Sequence, residues 1–222
     1  MTGAVVPLYV HPLLDPQAWS ALEELGTDLR CVVVNVADGP GSALAADPLY
    51  VHAVRRLRRA GVTVAGYLDL AYGARSTGTV QRDVDAWQSA YEVSAFFLDR
   101  HPSYVEPRAI GIAEWLVRRG SDLVVANPGV HPDPAAVDCV DVCVTFEGDV
   151  ERYRALTVPT WAASFGAGHI AHLVYGVPPE DQAGVRALAA ERGAVGYATE
   201  GRGSNPWDRL AASMTPHPAG CS

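Results

Sequence analysis

The chain has 222 residues, 49% of them hydrophobic, and a formal net charge of −8. This length and apolar content are enough for one buried core, so we expect a single domain over residues 1–222. The acidic balance argues against a nucleic-acid partner, which needs a basic surface. No apolar run is long enough to cross a bilayer, so we expect no membrane partner.

The start of the chain and its cysteines bear on its location. The first ten residues, MTGAVVPLYV, lack the basic region and long apolar run of a signal peptide. The four cysteines, Cys31, Cys139, Cys143 and Cys221, include no CxxC pair. Cys139 and Cys143 lie too far apart along a strand to bridge each other. These features predict a cytoplasmic protein with reduced thiols, or a secreted one if a leader has been removed.

Short apolar runs alternate with helical patterns along the chain. Several runs are continuous and β-branched, as in parallel strands buried on both faces. The predicted strands are 5–9, 31–35, 63–69, 95–99, 123–127, 140–147, 169–175 and 194–199. The predicted helices lie near 16–26, 47–60, 79–91, 106–119, 149–156, 179–192 and 205–214. Asp15 and Asp47 each precede a proline, as at a helix start, and Gly61, Gly120 and Gly193 are typical of helix ends.

This alternation predicts a (β/α)₈ barrel, with an irregular crossover in the proline-rich region 129–139. A doubly wound open sheet is the alternative. The sequence GPG at 39–41 follows the second strand and does not make the G-x-G-x-x-G of a dinucleotide site. His169 and His172 would point to opposite faces of a strand, which does not suit one metal ion. We therefore expect no cofactor and no metal.

Polar residues close six of the predicted strands. They are Asn35, Asp69, Asp99, Asn127, Glu147 and Thr199. A single Asp or Asn at such a place more often caps the following helix, but in a barrel all six meet at the rim where active sites are built. Two carboxylates flanked by amides and aromatic rings suit glycoside hydrolysis. One carboxyl protonates the leaving oxygen, and the other attacks the anomeric carbon or activates water.

Seven short motifs are distributed over almost the whole chain, and their order and spacing together indicate a family resemblance. They are YVHPLLDPQAW from residue 9, NVADGPG from 35, GYLDLAYGARS from 66, FFLDR from 96, ANPG from 126, TFEGD from 145 and YATEGRGSNPWDRLA from 197. The chain resembles the spherulation-specific, spherulin-type proteins, a family of (β/α) barrels that includes endo-glycosidases of galactosamine-containing polysaccharides. The resemblance implies that Asp99 and Glu147 are catalytic. The substrate-binding residues that we expect around them are Tyr9, Asn35, Asp69, Tyr72, Arg75, Arg100, Asn127 and Thr199.

Arg100 departs from the family pattern, which usually has glutamate directly after this aspartate. Three functions therefore stay open. The first is hydrolysis of an amino-sugar glycan, with Glu147 as proton donor and Asp99 as nucleophile or ion stabiliser. The second is a repurposed enzyme for a small neutral or anionic metabolite, and the third is a sugar-binding protein without catalysis. An Arg100 guanidinium that reaches the pocket would lower the pKa of Asp99 and favour a neutral or anionic ligand. Alternatively, Arg100 faces solvent at the strand end.

Overall fold

The computed structural model describes residues 3–42, 46–166 and 168–215. Within them, eight parallel strands form one sheet in chain order. The strands are β1 Val5–Leu8, β2 Cys31–Val34, β3 Val64–Asp69, β4 Ala95–Asp99, β5 Leu123–Asn127, β6 Val142–Asp149, β7 Ile170–Tyr175 and β8 Val195–Ala198. The helices between them are α1 Pro16–Leu25, α2 Pro48–Arg59, α3 Thr77–Tyr91, α4 Pro107–Arg118, α5 Val150–Arg154 and α6 Gln182–Glu191. This arrangement is a nearly closed (β/α)₈ barrel. The expected barrel is therefore confirmed, and the alternative of a doubly wound open sheet is wrong.

The barrel has a seam between its first and last strands. In the described residues, the strand ladders run from β1 to β8, and none joins β8 back to β1. The loop after β8 spans this seam. The Tyr9 backbone N–H donates to the carbonyl of Trp207 over 2.7 Å, and the Asn205 side chain donates to the carbonyl of Tyr9 over 3.2 Å. The C-terminal loop thus lies against the end of β1, at the rim of the barrel.

Local sequence signals set several element boundaries as expected. The Asp15 side chain accepts the Ala18 N–H over 3.0 Å and so caps α1, and Asp47 caps α2 through the Leu49 N–H over 2.8 Å. The glycines after α2, α4 and α6 have φ values of 83°, 81° and 75°, which only glycine adopts without strain. The crossover after β5 holds only a short 3₁₀ turn, Pro134–Ala136, so the irregular connection is confirmed.

The predicted helix near 205–214 is wrong. The described chain there contains loop and one 3₁₀ turn, Ala212–Met214. Pro206 interrupts the segment, and the Asn205 side chain accepts the Trp207 N–H over 3.2 Å, which favours a turn over a helix. The indole of Trp207 is buried. This segment therefore contributes to the rim and not to the outer ring of helices.

The end of one strand also differs from expectation. Strand β6 does not end at Glu147 but continues to Asp149, whose side chain caps α5 by accepting the Arg152 N–H over 2.9 Å. Glu147 therefore lies inside the strand.

Cys31, Cys139 and Cys143 are free thiols, whereas Cys221 lies outside the described residues.

Packing behind β3 fixes the position of one side chain at the site. Gly66 lies against the ring of Trp87 from α3, and a Cβ at residue 66 would come within 2.6 Å of that ring. The Trp87 indole donates to the carbonyl of Tyr67 over 2.9 Å. The absence of a side chain at residue 66 therefore lets α3 hold the backbone of Tyr67, the next residue in the strand.

Candidate active site

Asp99, Asn127 and Glu147 form the centre of the site. They come from the neighbouring strands β4, β5 and β6. The Asn127 side-chain nitrogen donates to Asp99 Oδ1 over 2.7 Å and to Glu147 Oε2 over 2.5 Å. Both bonds share one nitrogen, so the two oxygens lie no farther apart than the two bonds laid end to end, about 5 Å. The structure thus brings together the two residues predicted to be catalytic.

The orientation of the Asn127 amide follows from its two acceptors. A flipped amide would turn its oxygen toward two carboxylate oxygens and lose both hydrogen bonds. The side chain is buried, and its Oδ1 has no hydrogen-bond partner among the described residues. Asn127 therefore acts as a donor that holds both carboxyl groups in place.

Asp99 accepts hydrogen bonds from three donors. The Tyr67 hydroxyl donates to Asp99 Oδ2 over 2.7 Å, and the Asn127 amide and the backbone N–H of Arg100 supply the others. Burial raises the pKa of Asp99 above its ordinary value, and the nearby charge of Asp69 raises it further, while the three donors lower it. The Arg100 guanidinium pairs with Asp69, and the main effect of Arg100 on the pKa of Asp99 comes from its backbone N–H.

Glu147 has fewer donors than Asp99. Its Oε2 accepts from Asn127, and its Oε1 accepts from the Trp207 indole over 3.1 Å. Burial raises the pKa of Glu147; the two donors oppose that rise, and the charge of Asp99 adds to it. Both carboxyls therefore have raised pKa values, but Asp99 has the stronger hydrogen-bond support for its ionised form.

A pocket of about 610 Å³ opens beside the two carboxyls. Its walls come mainly from the ends of β1 and β2 and from the loop after β8. They are formed by Tyr9, Asn35, Val36, Ala37, Asp38, Tyr50, Tyr67, Asp99, Glu147, Ser204, Asn205, Pro206 and Trp207. Three of these are carboxylates, four are large aromatic residues, and none of these wall residues is Lys, Arg or His. The pocket thus combines acidic groups with aromatic surfaces.

Arg100 binds Asp69 and does not reach the pocket. Its guanidinium makes a two-pronged ion pair, with Nε 2.8 Å from Asp69 Oδ1 and the terminal nitrogen on Oδ2. The side chain of Arg100 is 47% exposed. Neither partner is among the residues that form the pocket wall. The extra cation therefore neutralises Asp69 at the rim and leaves Asp99 and Glu147 without a cationic neighbour in the wall.

Besides Asp69 and Arg100, three more of the predicted substrate-binding residues lie away from the pocket wall. Arg75 pairs with Asp83 over 2.8 Å and donates to the carbonyl of Asp69 over 2.9 Å, so it supports the loop after β3. Thr199 is fully buried, and its hydroxyl accepts the Gly201 N–H over 3.2 Å. Tyr72 lies on the rim with 58% of its surface exposed. By contrast, Tyr9 and Asn35 do line the pocket.

Sequence reasoning missed Trp207, which contacts Glu147 directly. An aromatic residue after Pro206, in a loop that follows a barrel strand, was the available signal. Tyr67 was visible as an aromatic residue two positions before Asp69, on the same face of β3. Asp38 also lines the pocket, in a left-handed conformation with φ of 51°. Nothing in the sequence distinguished it from an ordinary loop aspartate.

The histidines near β7 do not form a metal site. His172 is fully buried, with Nδ1 2.9 Å from the Tyr153 hydroxyl and Nε2 3.1 Å from Thr145 Oγ1. Burial lowers the pKa of His172 to about 3. The described part of the chain contains no group of three side chains placed to hold a metal ion. It also contains no helix with the length and apolar character of a membrane span.

The fold and the site define a class: (β/α)₈ barrels with two carboxyls bridged by an amide at the C-terminal ends of the strands. The profile of spherulation-specific family 4 matches residues 3–217. The chain belongs to that family, as its motifs indicated.

Two known proteins are similar to the chain, one in sequence and one in structure. Spherulin-4 of Physarum polycephalum is 30% identical over 149 residues, which cover 64% of this chain and 44% of that protein. The match thus spans less than half the length of this relative. The crystal structure of Aspergillus clavatus Sph3 in complex with GalNAc superposes with a TM-score of 0.80 and 22% identity, covering 96% of this chain and 94% of that one. At this identity the likeness shows the shared barrel fold.

Proposed function

We propose that this protein is a retaining glycoside hydrolase of a glycan that contains N-acetylgalactosamine. The observation that carries the proposal is the bridge from one Asn127 nitrogen to both Asp99 and Glu147. It limits the separation of the nearest carboxyl oxygens to about 5 Å, which suits the short spacing of retaining enzymes, about 5–5.5 Å between carboxyl groups. An inverting enzyme needs room for a water between carboxyls about 6.5–9.5 Å apart.

The hydrogen bonds favour Asp99 as the nucleophile and Glu147 as the proton donor. Three donors stabilise the ionised form of Asp99. Two donors reach Glu147, and the charge of Asp99 raises its pKa. The proton therefore resides on Glu147 when the pair carries a single charge. Different environments that separate two carboxyl pKa values commonly assign the acid and the nucleophile.

The chemistry then has two steps. Glu147 donates its proton to the glycosidic oxygen while Asp99 Oδ attacks the anomeric carbon, and the bond to the leaving sugar breaks. The product is a glycosyl ester of Asp99 and a free alcohol. Glu147, now ionised, removes a proton from a water that attacks the same carbon, which releases Asp99 as a carboxylate and the sugar with its original configuration.

The pocket also bears on the substrate. The pocket wall contains four aromatic residues and three carboxylates but no cationic side chain. This composition favours a neutral or cationic sugar over an anionic one. Of the neutral or anionic ligand that Arg100 led us to expect, this disfavours the anionic form. The family membership and the GalNAc bound to the similar Sph3 barrel support an amino sugar. The proposal extends both findings to this chain.

The decisive experiment combines product stereochemistry with two substitutions. Purified protein is incubated with α- and β-linked N-acetylgalactosamine oligomers, and the anomer released first is identified by NMR. We expect one linkage to be cleaved with retention. Asp99→Asn and Glu147→Gln should each lower kcat by at least about 10²-fold. Glu151→Gln, an exposed change away from the pocket, serves as the matched control. Inverted product, or two variants with wild-type rates, would reject the proposal.

A further inference from the structure

A strained turn at the rim holds Tyr72 out toward solvent. Ala71, Tyr72 and Gly73 have φ values of 46°, 55° and 87°. Of the three, only glycine adopts such values without steric cost. Non-glycine residues persist in this region only where the surrounding structure determines them, and they concentrate at ligand sites.

Hydrogen bonds from the end of β3, from Arg100 after β4 and from helix α4 hold this turn. The Ala71 N–H donates to Asp69 Oδ1 over 2.6 Å, and the Tyr72 N–H donates to the carbonyl of Arg100 over 2.8 Å. The Arg108 guanidinium donates to the carbonyl of Gly73 over 2.9 Å. The turn is therefore fixed at each of its three residues.

The Asp69–Arg100 ion pair joins the end of β3 to the residue that follows β4. Arg100 itself has a φ of 49°. Among the described residues, three of the five non-glycine positions with positive φ lie in this arrangement: Ala71, Tyr72 and Arg100. Since Asp69 also accepts the Ala71 N–H and the Arg100 carbonyl accepts the Tyr72 N–H, the pair acts on the shape of the turn. Arg100 is thus a positioning residue for Tyr72.

Tyr72 does not stand alone on the rim. Tyr104, in the loop after β4, is also 58% exposed, and Val130, in the loop after β5, is 47% exposed. The strands before these loops are neighbours. The loops after β4 and β5 are also joined directly, by a 2.8 Å bond from the Asp133 N–H to the carbonyl of Ser103. Tyr72, Tyr104 and Val130 thus lie on the loops after three successive strands, β3, β4 and β5, and we call this set of exposed apolar residues the rim strip.

The rim strip and the pocket lie on different sides of the carboxyl pair. The pocket walls come mainly from the ends of β1 and β2 and from the loop after β8, whereas the strip follows β3, β4 and β5. Asp99 closes β4 and lies where the two meet. A glycan that sits in the pocket and extends past Asp99 on the side of β3–β5 would reach the strip.

We propose that the rim strip is a second sugar-binding site, with the Tyr72 ring as its main platform. The ligand is one neutral pyranose unit of the same glycan, which is several units long. The apolar face of this pyranose packs on the aromatic ring of Tyr72. This inference rests on the proposed function. The other occupant of an exposed apolar strip, a protein partner, predicts no dependence on glycan length.

The test measures affinity as a function of chain length. Calorimetry is carried out on Glu147→Gln protein, so that oligomers stay intact, with N-acetylgalactosamine as the monomer and as the hexamer. We expect the hexamer to bind more tightly than the monomer. Adding Tyr72→Ala should lower hexamer affinity about tenfold and monomer affinity at most about twofold. Tyr72→Phe keeps the ring and should match the parent within about twofold.

The Arg100 arm tests the positioning role. Arg100→Ala removes the ion pair without touching the ligand and should produce the same length-selective loss as Tyr72→Ala. Arg100→Lys, which keeps a cation opposite Asp69, should retain more of the hexamer affinity. Equal losses for monomer and hexamer, no loss for the hexamer, or affinity that does not rise with length would each overturn the strip. Absence of hydrolysis by wild-type protein would instead reject the proposed function, and the two failures remain distinguishable.

Discussion

Replacing Asn127 with alanine removes both donors that the two carboxyls share. The lost bonds are 2.7 and 2.5 Å long and end on buried carboxyls. A hydrogen bond contributes about 1.5–3 kcal/mol when it ends on a charged group and about 0.5–1.5 kcal/mol when it does not, so with Asp99 ionised and Glu147 protonated the pair loses about 2–4.5 kcal/mol. If half of that loss acts in the transition state, kcat/KM falls by about 5-fold to 45-fold, at 1.36 kcal/mol per factor of ten.

The pH profile tests this reasoning more sharply than the rate. The acidic limb of kcat/KM reports ionisation of Asp99, and the alkaline limb reports deprotonation of Glu147. Asn127 lowers the pKa of both groups, so both limbs of Asn127→Ala should move to higher pH. The assay is initial-rate hydrolysis of an N-acetylgalactosamine oligomer across a pH series. A slower enzyme with unmoved limbs would refute the bridging role. Asn127→Asp, which places a third carboxyl between the pair, should be slower still.

Three further predictions use other contacts. The buried Glu147 carboxyl has a raised pKa, so it contributes stability that is complete below its ordinary pKa of 4.5 and is lost as pH rises through the folded value. The free energy of unfolding of Glu147→Gln should therefore exceed that of wild type by at least about 1 kcal/mol at pH 8, which is about 2–4 °C in Tm, and should not exceed it at pH 4. Trp207→Phe removes a donor that lowers the pKa of Glu147; it should move only the alkaline limb of kcat/KM, upward, and a shifted acidic limb would contradict this. Gly66→Ala drives a methyl group into the Trp87 ring and should cost about 1–3 kcal/mol in urea unfolding, whereas Gly78→Ala, which meets nothing within 4 Å, should cost nothing.

Strands and helix ends were predictable where the local signal was complete. The runs 95–99 and 123–127 are apolar up to a closing Asp or Asn, and the structure has the same boundaries. The end of β6 was not predictable in this way. Its pairing with β7 shifts register between Val144 and Phe146, and such a shift depends on the neighbouring strand.

Side-chain partners at the site required the register between strands. Asp69 and Asp99 lie opposite each other across β3 and β4, so Arg100, one residue on, is adjacent to both loops. Its choice of Asp69 over Asp99 follows from the left-handed backbone at Arg100, φ 49°. A sequence gives charge and order but not that turn. Trp207 was missed for a related reason, because its contact with Glu147 spans 60 residues of sequence.

The contact across the seam determines when the candidate site is completed during folding. Asn205 bonds to Tyr9 across 196 residues of sequence, and closing so long a loop is among the entropically slowest events available to the chain. The same short segment carries Trp207 to Glu147. On the ribosome, β1 can pair with β2 early, but the segment that contacts the end of β1 across the seam is among the last to be synthesised. We therefore expect the pKa of Glu147 to reach its final value only when the seam is closed, because a partly folded barrel with the carboxyl pair already in place still lacks the indole donor.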